Sequence, residues 1–244
     1  MKLTVIGHWG AFPPANGATS SYLLEEGDFS LLIDCGSGSL SSLQNYIPLQ
    51  RLDALIVSHY HHDHKADIGC LQYGMLIQSQ LGHRTGTFPI YGHSQDADEF
   101  SSLTFRGYTE GHAISPEYHT VIGPWEVSFC PTTHPAYCLA MRFTIGNKSL
   151  VYTADTHWTD DLVDFARNCD LLLCEASVLD DNVAQSSGHM TPEMAGQLAA
   201  QSGAASLVLT HLPQYAPGEV LVERARQVYS GSIQLASSGL QLEL

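Results

Sequence analysis

The densest set of side chains that could do chemistry lies in the segment Leu55–His64. There an apolar run is followed directly by His59, His61, Asp63 and His64. Imidazole nitrogens and carboxylate oxygens are ligands that bind Zn²⁺ and similar cations. Side chains two apart on an extended strand face the same side, so His59 and His61 are expected to point together, with Asp63 and His64 in the turn beyond. A solvated His-rich loop is the alternative, but buried imidazoles without partners are costly, and the spacing favours a metal site.

Three other predicted strands also end in a residue that can bind a metal. His134 follows the strand Trp125–Cys130, Asp155 follows Ser149–Thr153, and His211 follows Ser206–Leu209. Each residue alone is weak evidence, because a single His or Asp after a strand is common in loops and turns. Together they supply the ligands that the first segment lacks, since the strand ends of α/β proteins gather at one edge, where sites are built.

The elements that must position these residues follow from apolar runs and turn signals. Extended runs alternate with amphipathic ones, which predicts two sheets with helices outside them. Besides the strands named above, strands are predicted at Leu3–Ile6, Ser21–Glu25, Phe29–Ile33, Ala54–Val57, Leu139–Ile145, Leu171–Cys174 and Ile233–Ala236, and helices at Ser39–Tyr46, Ala66–Gln80, Thr159–Asn168, Pro192–Ser202 and Pro217–Tyr229. The stretch Gly92–His119 has weak periodicity and is interpreted as a helix followed by a loop.

Composition limits the classes of function. Hydrophobic residues form 44% of the 244 residues, enough for a large core, and we expect one domain over residues 1–244. The net charge of −15 argues against a large nucleic-acid interface, which needs clustered Lys and Arg.

Compartment and membrane association are also predicted from the sequence. The six Cys form no CxxC pair, which favours free thiols in a reducing compartment. No apolar stretch is long enough for a membrane helix, and the N-terminal residues read as a strand. We therefore expect a cytoplasmic protein without membrane association.

These motifs resemble those of the metallo-β-lactamase superfamily, and within it the ribonuclease Z-like zinc phosphodiesterase branch. The similarity extends from the loop Asp34–Gly38 to His211. It implies a four-layer αββα sandwich and two Zn²⁺ ions per chain, although the nitrogen and oxygen ligands also suit Mn²⁺ or Fe²⁺. It assigns His59, His61 and His134 to one ion, Asp63, His64 and His211 to the other, and Asp155 as the bridge between them. Asp34 is either a supporting residue behind the ligands or a turn residue at a strand end.

A second motif narrows the branch. The segment Ser187–Pro192 resembles the His-x-Thr motif of ribonuclease Z-like phosphodiesterases, in which the His serves catalysis. The resemblance therefore implies that His189 stabilises the phosphorane or protonates the leaving alkoxide, and that Asp63 orients a metal-bridging hydroxide. The alternative for this segment is a loop His beside a Thr191 that caps a helix. Glu175 could orient a neighbouring His.

The chain also departs from ribonuclease Z. Those enzymes carry a long tRNA-clamping arm, whereas the segment from His134 to Asp155 holds only two predicted strands. Together with the charge, this disfavours tRNA and favours a small or cyclic phosphodiester as substrate. His157 either lines the pocket or is an exposed loop residue. Relatives in this branch are often homodimers, so a homodimer is a hypothesis by analogy.

Several alternatives stay open at this point. A lactone or thioester hydrolase would share most of the ligands, and a tRNA 3′-end processing endoribonuclease would share the fold. A di-iron redox protein would normally have Glu where this chain has His61, and a fused flavin domain. A non-catalytic metal-binding protein is disfavoured because the ligand set is intact.

Overall fold

The computed structural model describes residues 1–244, which form two compact units, each with one seven-stranded mixed sheet. The first unit comprises Met1–Ser115 and Ser237–Glu243, and the second comprises Pro116–Ala236 with Leu244. The prediction of two sheets is confirmed. That the whole chain acts as a single domain stays a prediction.

The sheet of the first unit has the strand order β14-β1-β2-β3-β4-β5-β6. Strands β14, β1, β2 and β3 pair antiparallel, and β3 to β6 pair parallel. Parallel neighbours need crossover connections, and helices supply most of them. The strands are β1 (Lys2–Gly7), β2 (Ser21–Glu26), β3 (Phe29–Ile33), β4 (Ala54–Ile56), β5 (Phe88–His93), β6 (Thr109–Ile114) and β14 (Gln241–Glu243), and the helices are α1 (Ser39–Leu43), α2 (His62–Lys65), α3 (Ile68–Gln80) and α4 (Ala97–Ser102), with a 3₁₀ turn at Leu49–Arg51.

The core of the first unit explains why β4 is apolar throughout. Leu32, Leu55 and Phe88 are fully buried in one cluster with Leu71 and Met75 of α3. A strand buried in a parallel sheet has no polar face, so an uninterrupted apolar run is expected. This buried block fixes the place where β4 ends and the ligand segment begins.

The sheet of the second unit repeats the scheme with the order β13-β12-β11-β10-β9-β8-β7. Strands β7 to β10 pair antiparallel, and β10 to β13 pair parallel. The strands are β7 (Thr120–Ile122), β8 (Trp125–Pro131), β9 (Leu139–Ile145), β10 (Lys148–Tyr152), β11 (Leu171–Glu175), β12 (Ser206–Thr210) and β13 (Ser232–Leu235), and the helices are α5 (Asp160–Phe165), α6 (Asp181–Ser187), α7 (Pro192–Ser202) and α8 (Gly218–Arg226).

Capping residues fix both ends of α7, the helix that follows His189. Thr191 lies at the N-cap of α7, and its hydroxyl accepts a hydrogen bond from the Met194 amide, with Pro192 in the first turn. Gly203 ends the helix in the left-handed conformation with φ 71°. The Thr191 cap and the bounds Pro192–Ser202 were predicted from the sequence and are confirmed.

The stretch 92–119 differs from its prediction. It contains a short helix, α4, but it also contains the end of β5 and the whole of β6. Strand β6 is the edge of its sheet and exposes Glu110, so it lacks the alternation that identifies a half-buried strand.

Every helix in the structure is too short or too polar to span a lipid bilayer.

Candidate metal centre

In the first unit the ligand segment begins where β4 ends. His59 is fully buried, while His61 is exposed and forms the N-cap of α2. Asp63 and His64 lie inside this short helix rather than in an irregular turn, which corrects the sequence-based expectation. The rings of His59 and His64 lie 4.2 Å apart, and those of His59 and His61 lie 4.7 Å apart. The structure therefore brings the imidazoles of this motif into one cluster.

Asp34 supports this cluster from behind. Its carboxylate accepts hydrogen bonds from the Ser58 amide at 2.7 Å, from the Ser58 hydroxyl at 2.9 Å and from Nδ1 of His64 at 2.8 Å. Asp34 is completely buried, and these donors compensate the cost of burying its carboxylate. Of the two interpretations that the sequence left open, the structure supports the residue that orients a ligand.

Asp63 is held by the loop that follows β1. Its Oδ2 atom accepts a hydrogen bond from the Ala11 amide at 2.8 Å and lies 3.7 Å from Nε2 of His64. Gly36 packs against the same residue, because a Cβ atom there would lie 2.1 Å from the Asp63 carbonyl oxygen and 2.2 Å from the Thr19 hydroxyl. Only glycine allows this close approach.

In the second unit His134, Asp155 and His211 follow β8, β10 and β12. The Oδ2 atom of Asp155 lies 3.9 Å from Nε2 of His134 and 3.5 Å from Nε2 of His211. Asp155 is 2% exposed, and His211 adopts a left-handed backbone with φ 52°, which is rare outside glycine. The structure thus confirms that these strand ends meet, and two imidazoles face one carboxylate oxygen.

The hydrogen bonds of the imidazoles fit a metal site. Nδ1 of His59 lies 3.1 Å from the Ser58 hydroxyl, and Nδ1 of His134 lies 3.0 Å from the carbonyl oxygen of Gly188. His64 and His211 likewise use Nδ1 to contact Asp34 and Ser177. Metal-bound histidines commonly bond a protein group through one ring nitrogen and the cation through the other. The donor set of each unit therefore suits a borderline cation such as Zn²⁺.

His189 lies beside the ligands of the second unit. Its Nδ1 atom is 3.0 Å and 3.1 Å from the two carboxylate oxygens of Glu175. Its ring stacks on that of His211 at 5.5 Å and meets that of His134 edge-on at 5.1 Å. The expectation that Glu175 orients a histidine is met, and the orientation places His189 against two of the predicted ligands.

Gly188 makes this placement possible. It ends α6 with φ 73°, and a Cβ atom there would lie 2.8 Å from Cδ of Pro135 and 3.0 Å from Cα of His134. Thr191 therefore caps α7, while His189 lies beside the predicted ligands His134 and His211. The catalytic role of His189 stays a prediction.

Other histidines take structural or surface positions. His62 is exposed. His157 is partly buried, and its backbone amide donates to the Thr133 carbonyl oxygen at 2.9 Å. His93 is buried, with its ring 4.4 Å from that of Tyr60.

Ser177 also contacts this cluster, although the sequence did not single it out. Its hydroxyl lies 2.5 Å from Oε2 of Glu175 and 2.6 Å from Nδ1 of His211. A single serine two positions after a strand end carries no sequence signal of its own, because its partners are distant in the chain.

Comparison with known proteins shows the family to which this chain belongs. A family model described as a β-lactamase superfamily domain matches residues 30–212, which include every predicted ligand and His189. The chain belongs to the metallo-β-lactamase superfamily. This confirms the predicted fold class, an α/β sandwich with two mixed sheets flanked by helices in that superfamily.

One relative is similar along the entire chain. The protein named "Probable metallo-hydrolase YhfI" from Bacillus subtilis strain 168 is 45% identical over 243 residues, which cover 100% of both chains. A crystal structure of the metallo-β-lactamase fold protein YhfI from Bacillus subtilis matches with a TM-score of 0.98, 46% identity and coverage of 100% of this chain and 99% of that chain. These matches confirm the prediction of a metal-dependent hydrolase.

More distant relatives include proteins of the predicted ribonuclease Z-like branch. A ribonuclease Z from Haloarcula marismortui is 26% identical over 304 residues, covering 99% of this chain and 96% of the relative. A diphosphatase from the PhnP family shares the fold with a TM-score of 0.80 at 20% identity, covering 100% of this chain and 96% of that one. The relatives of this chain within the metallo-β-lactamase superfamily therefore include ribonuclease Z-like proteins. Between His134 and Asp155 the structure has only β9 and β10, which confirms that no arm is inserted there.

Proposed function

We propose that the chain is a dinuclear zinc-dependent phosphodiesterase that hydrolyses a small or cyclic phosphodiester. In this proposal His59, His61 and His134 hold one cation, Asp63, His64 and His211 hold the other, and Asp155 is shared. The nitrogen and oxygen donors and the Nδ1 hydrogen bonds described above support the assignment.

The observation that carries the proposal is the contact between His189 and Glu175. A histidine that is not itself a predicted ligand lies against the rings of His134 and His211, and a buried carboxylate holds its Nδ1 atom. This pairing leaves Nε2 to deliver a proton or a hydrogen bond to a reacting oxygen. Hydrolysis of a phosphodiester needs such a group, because an alkoxide leaves with the electrons of the broken P–O bond.

The cations, when bound, would supply Lewis acidity and a nucleophile derived from water near neutral pH. The residues of this chain supply the rest. Asp63, held by the Ala11 amide, orients the attacking water, and His189 stabilises charge on the phosphoryl oxygens or protonates the leaving oxygen. Glu175 stabilises the protonated form of His189, as a buried carboxylate does for a catalytic imidazole.

A small substrate is favoured over a large RNA for two reasons. The tRNA-clamping arm is absent at its usual place, and 25 acidic residues outnumber 10 Lys and Arg. Without clusters of basic residues, the negative charge of a bound phosphodiester must be neutralised mainly by the metal cations. This suits a compact substrate.

The test combines metal analysis with hydrolysis of bis(p-nitrophenyl) phosphate and of 2′,3′-cyclic nucleotides. We expect two cations per chain in the wild type, loss of metal and activity in Asp155→Ala, and retained metal with at least a hundredfold lower kcat in His189→Ala. His112→Ala is the matched control, because His112 lies on the edge strand β6 beside Glu110 and should leave all values unchanged. Parallel assays use lactones, thioesters and a precursor tRNA. A wild type that binds two cations but cleaves only one of those other substrates would overturn the proposal.

A further inference from the structure

Ser177 lies in the loop that follows β11. Glu175 is the last residue of β11, and the Ser177 hydroxyl reaches back to its Oε2 atom at 2.5 Å. The same hydroxyl oxygen lies 2.6 Å from Nδ1 of His211, a residue 34 positions further along the chain. One hydroxyl therefore lies between a buried carboxylate and a predicted metal ligand.

The donors around Glu175 determine the direction of these hydrogen bonds. The carboxylate accepts from the Thr156 amide at 2.6 Å, from the Met190 amide at 3.3 Å and from Nδ1 of His189. A carboxylate surrounded by donors is an acceptor, so the single proton of the Ser177 hydroxyl points to Glu175. The hydroxyl oxygen then accepts from Nδ1–H of His211.

This direction decides the tautomer of His211. With the proton on Nδ1, the Nε2 atom keeps its lone pair, and Nε2 is the atom that lies 3.5 Å from Oδ2 of Asp155. The structure thus turns the basic nitrogen of His211 toward Asp155, another predicted ligand of its unit. The carboxylate that holds His211 through Ser177 also holds His189 directly.

We infer that Ser177 is a positioning residue, which fixes the metal-binding tautomer of His211 and links this ligand to the Glu175–His189 pair. The inference rests on the proposed metal assignment of His211 and on the proposed role of His189. Its consequence is that one buried carboxylate sets the geometry of both a metal ligand and the proton donor. A change at Ser177 therefore affects cation affinity directly, through His211, and proton delivery by His189 indirectly, through Glu175.

The test compares Ser177→Ala with Ser177→Thr, which keeps the hydroxyl, and with Ser186→Ala as the matched control. Ser186 is exposed in α6 and bonds only the Val183 carbonyl oxygen of its own helix. Zinc affinity is measured by competition with a chelator in the full-length protein. We expect Ser177→Ala to lower the affinity about 10- to 100-fold. Ser177→Thr should remain within about threefold of the wild type, and Ser186→Ala should not differ from it.

A second measurement reports the mechanism directly. Nitrogen NMR of the histidine rings in the metal-free protein should show His211 as the Nδ1–H tautomer in the wild type and in Ser177→Thr. In Ser177→Ala the preference should weaken. Wild-type zinc affinity together with an unchanged His211 tautomer in Ser177→Ala would overturn the inference. A double variant Ser177→Ala/Glu175→Gln should bind zinc no more weakly than Glu175→Gln alone, because both changes break one chain of hydrogen bonds.

Both measurements are independent of the substrate. If the wild type hydrolyses a lactone instead of a phosphodiester, the proposed function fails, while the affinity and tautomer results still test Ser177. Conversely, an active phosphodiesterase whose Ser177→Ala variant keeps zinc affinity and tautomer would support the function and reject the inference.

Discussion

Nδ1 of the His64 imidazole lies 2.8 Å from Oδ2 of Asp34, and both side chains are fully buried. The same carboxylate also bonds the amide and the hydroxyl of Ser58, the residue before His59. Asp34 therefore holds the beginning and the end of the His59–His64 segment in one arrangement before any cation binds.

Replacing Asp34 with Asn should loosen this arrangement. An amide oxygen and an amide NH₂ cannot accept all three hydrogen bonds, so at least one buried donor loses its acceptor, which costs about 1–3 kcal/mol of stability. Zinc affinity should also fall about 10- to 100-fold, because His64 is no longer oriented. Chemical denaturation and chelator competition measure the two effects. Asp53→Asn is the control, since Asp53 accepts the Ser30 amide at 2.8 Å without contacting a ligand. Wild-type zinc affinity in Asp34→Asn would contradict the prediction.

Replacing Gly36 with Ala should disturb Asp63 through packing alone. The added methyl would overlap the Asp63 carbonyl oxygen and the Thr19 hydroxyl, so the backbone must shift, at a cost of about 1–3 kcal/mol. We expect a lower free energy of unfolding and a lower cation content. Gly69→Ala provides the contrast, because nothing lies within 4 Å of a Cβ atom at this exposed helical position. That variant should be as stable as the wild type or slightly more stable. Equal stability of the two variants would refute the packing argument.

The stability of the protein should fall in mild acid through His8. Burial lowers the pKa of His8 from 6.5 to about 4. Between these values the unfolded chain binds a proton that the folded chain does not, so the free energy of unfolding decreases as the pH drops from about 6.5 to about 4. The contribution reaches roughly 3 kcal/mol when the whole interval is crossed. In His8→Asn the pH dependence should be shallower than in the wild type, as measured by urea denaturation at pH 7 and pH 5. Parallel profiles for the two proteins would show that His8 does not contribute.

Thiol reactivity should distinguish Cys70 from the other cysteines. None of the six cysteines forms a disulfide, and Cys70 alone is exposed. Burial raises the pKa of Cys35 and of Cys169 to about 12, which suppresses the reactive thiolate. Titration of the native protein with a disulfide reagent should therefore give one fast thiol, and titration after denaturation should give six. Cys70→Ser should remove the fast phase. A second fast thiol in that variant would mean that the buried cysteines become accessible on the assay timescale.

The clustering of the first predicted ligands could be foreseen because a dense group of His and Asp directly after an apolar strand is unusual and its spacing is local. His59, His61 and His64 lie within six positions, and the apolar strand before them identifies the turn. The distant ligands were predicted for the same reason, each following a buried strand whose apolar run is easy to recognise.

Other features depend on contacts that no local pattern encodes. The Ala11 amide binds Asp63 across 52 positions, and Ser177 reaches His211 across 34. Strand β6 was missed because an edge strand with exposed Glu110 is stabilised by its pairing with β5 rather than by its own pattern. The short helix α2 was taken for a turn because it has only four residues, and two of them, Asp63 and His64, belong to the motif.

The pairing of β14 with β1 has a consequence for synthesis on the ribosome. Lys2 lies opposite Glu243, and the Gly239 amide bonds the Val5 carbonyl oxygen, so the outermost strand of the first sheet comes from the last residues of the chain. The whole of residues 116–236 must leave the ribosome before that strand can dock. Until then β1 presents an open edge, and an open strand edge favours pairing between neighbouring chains.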